Sequence, residues 1–124
     1  MALDKNSDLE SIIRGFVVKN KELGRTAVSY IIAYTLYTAK TEGKEGIDWY
    51  RIKKECSNLY GRDISPNSIS FGLKSLIDKD YVETKIAGSA IVYYPTRKMG
   101  GFRSEFLEFK SRINAGNSEN SKYS

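Results

Sequence analysis

The sequence predicts a mainly α-helical protein with one small β-hairpin. Apolar residues recur at helical spacing in five segments, and two of these segments begin with strong N-capping residues. The apolar period changes from helical to alternating only between residues 81 and 95. The chain has 124 residues, which fits one domain with a core of its own.

The first predicted helix carries an apolar stripe that begins at Leu9 and repeats at helical spacing. Ser7 or Asp8 is the expected N-cap, because short polar side chains accept a hydrogen bond from the first helical turn. Gly24 is the expected end of the segment.

Residues 26–39 are the most apolar stretch, and they predict a helix with two apolar faces. Val28, Leu36 and their neighbours form one face, whereas three tyrosines form the opposite face. A helix of this kind must be covered on both sides. Two structures can cover the tyrosine face. Terminal helices of the same chain can pack on it, or a second copy can, since tyrosine is enriched at subunit interfaces, and the two are compatible.

Two further helices have clear boundary signals. Asp48 is the predicted N-cap of the first, and Gly61 ends it. Ser65 and Pro66 open the second, because proline is favoured at the first helical position. Gly72 lies on the apolar side of this helix, where a missing side chain permits close helix contact.

Beyond these helices, YVETKI and IVYYP alternate as two strands of a hairpin around a turn at residues 87–90. An aromatic helical stripe follows, and the last residues are too polar to form part of a core. The predicted segments are an N-terminal helix and linker (1–25), a central unit (26–98), a C-terminal helix (99–113) and a disordered tail (114–124). The residues expected at a dimer interface are Tyr30, Tyr34, Tyr37, Phe102, Phe106, Phe109 and Ile113.

Composition argues against most enzyme classes. The chain has no histidine, so the common general base and the usual histidine-containing triads and zinc sites are missing, and we expect no catalytic residue, cofactor or metal. Cys56 is the single cysteine and is most simply a buried apolar residue. A chain without a disulfide, a signal peptide or a membrane span is expected in the cytoplasm.

The net charge of +5 is unevenly distributed. Residues 1–48 are balanced, whereas residues 49–113 carry twelve basic and seven acidic side chains and hold the whole excess. A localised positive field attracts polyanions.

The segments SPNSIS and LKSLIDKDYV resemble the third helix and first wing strand of winged helix-turn-helix proteins. VYYPTRKMG is similar to the second wing strand of MarR-like and PadR-like regulators, in which the next helix dimerises. The resemblance covers residues 26–98 and implies a homodimeric, nucleoid-associated transcriptional regulator that binds double-stranded DNA. The chain departs from the family pattern at Asp80, where glycine is usual, and in a wing tip without lysine or arginine.

On this hypothesis the helix at residues 65–79 enters the major groove. The candidates for reading bases are Asn67, Ser68, Ser70, Phe71 and Lys74. Phe71 either contacts a thymine methyl group or packs under the wing or against a neighbour. The candidates for binding phosphates are Arg51, Lys54, Arg62, Ser65, Lys85, Ser89, Arg97 and Lys98.

Other functions remain open on sequence alone. The same fold can serve a non-specific architectural or partition protein, or a module whose wing or tyrosine stripe binds another protein. The tyrosine stripe can also line a pocket for an effector, although nothing in the sequence names one.

Overall fold

The computed structural model describes the backbone of residues 5–44 and 46–123, and the side chains of residues 9–44 and 46–115. The protein is mainly helical with a small three-stranded antiparallel sheet. Its elements are α1 (Lys5–Lys19), a 3₁₀ turn (Lys21–Leu23), α2 (Ala27–Thr41), β1 (Ile47–Asp48), α3 (Trp49–Tyr60), α4 (Pro66–Asp78), β2 (Val82–Ala87), β3 (Ala90–Pro95), a second 3₁₀ segment (Arg97–Phe102) and α5 (Arg103–Tyr123).

α1 begins earlier, and α5 ends later, than the sequence predicts. α1 begins at Lys5, so Ser7 and Asp8 lie inside the helix and neither is its N-cap. α5 continues to Tyr123, although residues 114–124 were predicted to be disordered. These segments contain no proline, and each added helical residue closes one more backbone hydrogen bond. Residues 1–4 of the predicted N-terminal segment and Ser124 of the predicted tail lie outside the described residues.

α2 is the centre of the core, and residues 30–36 are buried without interruption. Its tyrosine face is covered by aromatic rings from α1 and α5. The Phe109 ring lies 4.8 Å from Tyr34, 5.3 Å from Tyr30 and 5.2 Å from Phe16, each in an edge-to-face arrangement. The Tyr37 ring packs 5.0 Å from that of Phe106. The terminal helices of the same chain therefore supply the cover.

This packing corrects the predicted dimer interface. The seven candidate side chains are buried or half-buried within one chain, because α2 and α5 present complementary aromatic stripes to each other and to the core. They do not form a free surface for a second copy. The residues concerned are Tyr30, Tyr34, Tyr37, Phe102, Phe106, Phe109 and Ile113.

Tyr30 brings a buried polar atom into this cluster. Among the described residues its hydroxyl and Glu105 Oε2 have no hydrogen-bond partner. Burial raises the pKa of the Tyr30 hydroxyl above its usual range, and the Glu105 carboxylate adds to the shift.

We expect Tyr30→Phe to leave the free energy of unfolding unchanged or to raise it by about 1–2 kcal/mol, because it removes an unsatisfied buried hydroxyl. Tyr81→Phe is the matched control, since the Tyr81 hydroxyl donates to Glu22 Oε2 at 3.3 Å and its loss should cost about 1 kcal/mol. Urea unfolding measures both. A clear loss of stability in Tyr30→Phe would show that its hydroxyl is hydrogen-bonded.

The predicted boundaries of α3 and α4 are confirmed. Asp48 Oδ1 accepts from the Arg51 backbone N–H at 2.8 Å, and Ser65 Oγ accepts from the Ser68 N–H at 3.2 Å. Pro66 begins α4, and the C-cap of α3, Gly61, has the left-handed φ of +83°.

The predicted close approach at Gly72 is also present. A Cβ atom at this position would lie 2.7 Å from Cδ1 of the fully buried Ile32 on α2. The absence of a side chain therefore lets α4 pack tightly against α2.

β2 and β3 form the predicted hairpin around Gly88 and Ser89, and Gly88 has φ +65°. The sequence does not predict β1, whose two residues pair with Tyr93 and Val92 to give the strand order β1-β3-β2. Asp80, two residues after the end of α4, also has φ +65°, a left-handed conformation that aspartate tolerates better than most residues. Asp80 thus adopts the left-handed backbone conformation that glycine, the usual residue at this position, adopts readily.

Candidate nucleic-acid interface

The outward side of α4 is exposed, as the sequence predicts. Asn67, Ser70, Phe71 and Lys74 lie on this side and are called the α4 face below. Phe71 is 74% exposed, so packing under the hairpin or against another described part of the chain does not explain it. The α4 face thus combines an amide, a hydroxyl, an aromatic ring and an ammonium group.

Three hydroxyls at the start of α4 already have hydrogen bonds. Ser65 Oγ accepts from the Ser68 N–H and donates to Ser68 Oγ at 2.9 Å. Because these capping hydrogen bonds already use its hydroxyl, Ser65 is a poor phosphate ligand. Ser68 is half-buried. Ser70 Oγ accepts from Trp49 Nε1 at 3.2 Å, which leaves its own proton free to donate. Of the two serines predicted to read bases, Ser70 therefore remains the stronger candidate.

Trp49 and Tyr50 are residues that the sequence analysis missed. The two rings lie 5.2 Å apart in an edge-to-face arrangement, and Tyr50 is 80% exposed. Through its bond to Ser70, Trp49 joins the start of α3 to the α4 face. A signal was present, since two aromatic residues directly after an N-cap place large rings at an exposed helix end.

Two of the predicted phosphate-binding cations are held by the protein itself. Arg62 Nη2 lies 2.6 Å from Glu10 Oε1 and 2.7 Å from the Tyr60 hydroxyl, and its guanidinium stacks on the Tyr60 ring. Lys98 Nζ donates to the Lys79 carbonyl at 2.9 Å. These contacts fasten α3 to α1 and the second 3₁₀ segment to the end of α4. Both side chains remain exposed, so these contacts within the chain leave Arg62 and Lys98 as phosphate candidates.

The other predicted phosphate-binding cations are also exposed. Arg51 Nε lies 3.1 Å from Glu55 Oε1 one helical turn away, in a half-exposed pair of the kind that contributes little and exchanges easily for a phosphate. Lys85 is exposed on β2, with its Nζ 5.6 Å from the centre of the Tyr94 ring. The other exposed phosphate candidates are Lys54, Ser89 and Arg97.

The tip of the hairpin is apolar. Strand alternation places Ile86 on the same side of β2 as the buried Val82. Ile86 is instead 78% exposed, and its cross-strand partner Ile91 is 55% exposed. The hairpin extends beyond the core, so the face that is buried at its base meets solvent at its tip.

Other features of the molecule are less informative. Burial raises the pKa of the Cys56 thiol to about 12, which keeps it protonated and unreactive. A groove of about 370 Å³ between α2 and α5 is lined by Tyr37, Leu107, Arg103 and Lys110 among others.

Within residues 5–44 and 46–123, no helix is both long and apolar enough to cross a bilayer. The described side chains include no group of three or more potential metal ligands.

The comparisons with known proteins found no matching family model, no similar curated protein and no similar solved structure.

Proposed function

We propose that this protein binds double-stranded DNA sequence-selectively through a winged helix-turn-helix and acts as a transcriptional regulator. α3 and α4 are consecutive capped helices joined by the turn at residues 61–65, and a hairpin follows them. An α-helix fits the major groove, and its N-terminal half reaches base edges. The observation that carries the proposal is the α4 face, whose four side chains are all exposed.

Each residue of the α4 face has a role in this proposal. Asn67 suits a bidentate contact with adenine, Ser70 donates its free proton to a base acceptor, and Lys74 reaches guanine or a phosphate. Phe71 suits contact with a thymine methyl group. Arg51, Lys54, Lys85 and Arg97 bind phosphates and fix the orientation of the protein without reading sequence.

The proposal includes a homodimer on a two-fold symmetric site inside the cell, with successive major grooves about 34 Å apart. The aromatic residues of α2 and α5 are occupied within the chain, so a second copy would use a different surface. Measuring the mass of the complex with DNA tests the stoichiometry directly.

Selection from random DNA identifies the preferred site, and the affinity for that site is then measured against salt concentration. We expect the logarithm of affinity to fall linearly with the logarithm of salt concentration. Each neutralised phosphate contributes about −0.9 to this slope, so a dimer that contacts several phosphates should give a slope of several units. Lys74→Ala should weaken binding to the preferred site by about 1–3 kcal/mol and change base preference. Arg97→Ala should weaken binding to all sequences alike and reduce the slope by about one.

Lys40→Ala is the control, because it removes an exposed lysine from the part of the chain with no net charge and should leave binding unchanged. A salt response that is flat for the unmodified protein would contradict the proposal. Competition with random DNA separates a regulator from an architectural protein, since a regulator prefers its own site by about 10³ or more.

A protein-binding module is the second candidate, and the exposed rings of Phe71 and Tyr50 favour it. Exposed aromatic residues are typical anchors of protein interfaces. Absence of DNA binding at low salt, together with retained folding, would support this candidate over the first.

A further inference from the structure

The end of the β2–β3 hairpin is an apolar projection. Ile86 and Ile91 face each other directly across the two strands and are 78% and 55% exposed. The next pair is Ala87 and Ala90, and the turn is Gly88–Ser89. Residues 86–91 contain no charged side chain. We call residues 86–91 the apolar tip.

The position of the two isoleucines is fixed by the base of the hairpin. Val82 and Pro95 are paired and buried on the same face of the sheet, which holds the register. The isoleucines therefore cannot turn inward without moving buried residues. Cross-strand pairs of β-branched residues stabilise a hairpin. Threonine is also β-branched and would expose less apolar surface, so hairpin stability alone does not require isoleucine at these two positions.

Charge and size indicate which partner suits the apolar tip. Lys85 directly precedes it in the sequence and is exposed, with its Nζ 5.6 Å from the centre of the Tyr94 ring, and Glu83 lies two residues further down the strand. Two isoleucine side chains fall far short of the roughly 800 Å² per partner in a standard protein interface. The minor groove of DNA offers a narrow slot rimmed by phosphates, and proteins that distort DNA insert apolar side chains there.

We infer that the Ile86–Ile91 pair is a wedge that enters the minor groove beside the site of α4 and bends the DNA. This inference rests on the proposed function. The wedge partly unstacks one base step, and Lys85 binds a phosphate at the rim of the groove. Pyrimidine–purine steps unstack most easily, so a TA or CA/TG step is expected at a fixed distance from the bases that α4 reads.

The experiment uses the full chain and a duplex of about 30 base pairs that carries the selected site, with donor and acceptor dyes at its ends and 2-aminopurine at the flanking step. Binding of the unmodified protein should bring the ends closer and raise 2-aminopurine fluorescence. The double variant Ile86→Thr/Ile91→Thr keeps β-branched residues in both strands. It should bind about tenfold more weakly, with an unchanged salt slope, no bend and no rise in fluorescence.

Two variants serve as controls. Lys85→Ala should reduce the salt slope by about one and keep the bend, because it removes a phosphate contact and leaves the wedge. Val18→Thr replaces another exposed β-branched residue, 66% exposed on α1, and should change neither affinity nor bend. An unchanged urea midpoint in the double threonine variant shows that the hairpin is intact.

The possible negative results are distinguishable. If the double threonine variant binds and bends DNA as the unmodified protein does, the wedge is overturned while DNA binding stands. If the double variant instead abolishes self-association of the protein and leaves the bend unchanged, the apolar tip joins two copies and the inference is equally overturned. If the unmodified protein binds no duplex even at low salt, the proposed function itself fails.

Discussion

Phe109→Ala is expected to lower the free energy of unfolding by about 3–5 kcal/mol. Phe109 is completely buried, and its ring makes edge-to-face contacts with Phe16, Tyr30 and Tyr34. The substitution removes the apolar area and these ring contacts, and it leaves a cavity where α1, α2 and α5 meet.

Leu107→Ala is the matched control for Phe109→Ala. Leu107 lies two residues away on the same helix but is 54% exposed, so its truncation should cost less than about 1 kcal/mol. Urea unfolding followed by circular dichroism measures both variants. Equal effects at the two positions would mean that α5 is not seated on α2, and the intramolecular cover of the tyrosine face would then be wrong.

Gly24→Ala is expected to cost about 3 kcal/mol or more, because two separate penalties combine. Gly24 has φ +130° and ψ +161°, a backbone conformation that is nearly restricted to glycine. A Cβ atom would also lie 2.5 Å from the Cβ of Ser29. Ser29 is buried and hydrogen-bonded to Thr26, the N-cap of α2, so it has little freedom to move.

Two other glycines separate the penalties. Gly43 has φ +85°, and no described neighbouring atom would lie within 4 Å of an added Cβ, so Gly43→Ala should cost about 1 kcal/mol from backbone strain alone. Gly15 lies within α1 with neither strain nor a close neighbour, and Gly15→Ala should stabilise the protein by up to about 1 kcal/mol. If Gly24→Ala were no worse than Gly43→Ala, the contact with Ser29 would be easily relieved.

The features that the sequence predicts well are those set by short-range chemistry. The caps at Asp48 and Ser65, the end of α3 at Gly61 and the turn at Gly88 each depend on a few neighbouring residues. β1 could not be predicted in this way, because its two residues become a strand only by pairing with β3 more than forty positions later.

The tyrosine stripe shows a different limit of the sequence. Its pattern requires a cover, and the phenylalanine stripe of α5 is a suitable one. A sequence does not distinguish a cover from the same chain from a cover by a second copy, because the two surfaces have the same chemistry. The choice between the two covers depends on where the chain runs after Pro95, and in this structure it brings α5 back onto α2.

The candidate site was predicted in part for the same reason. Exposure of the α4 face follows from helical periodicity, which a sequence reports directly. The ion pair of Arg62 with Glu10 and the bond from Trp49 to Ser70 join residues 52 and 21 positions apart, so local patterns carry no information about them. The exposure of Ile86 depends on how far the hairpin extends beyond the core, and strand alternation does not encode that length.

The arrangement of α2 between the two terminal helices has a consequence for protein synthesis. The ribosome releases α2 well before α5, so the nascent chain emerges with its tyrosine side still in contact with water. Stable structure must wait until Phe106 and Phe109 have been translated. During this interval the growing polypeptide presents an uncovered aromatic strip, and exposed apolar surface of this kind promotes aggregation.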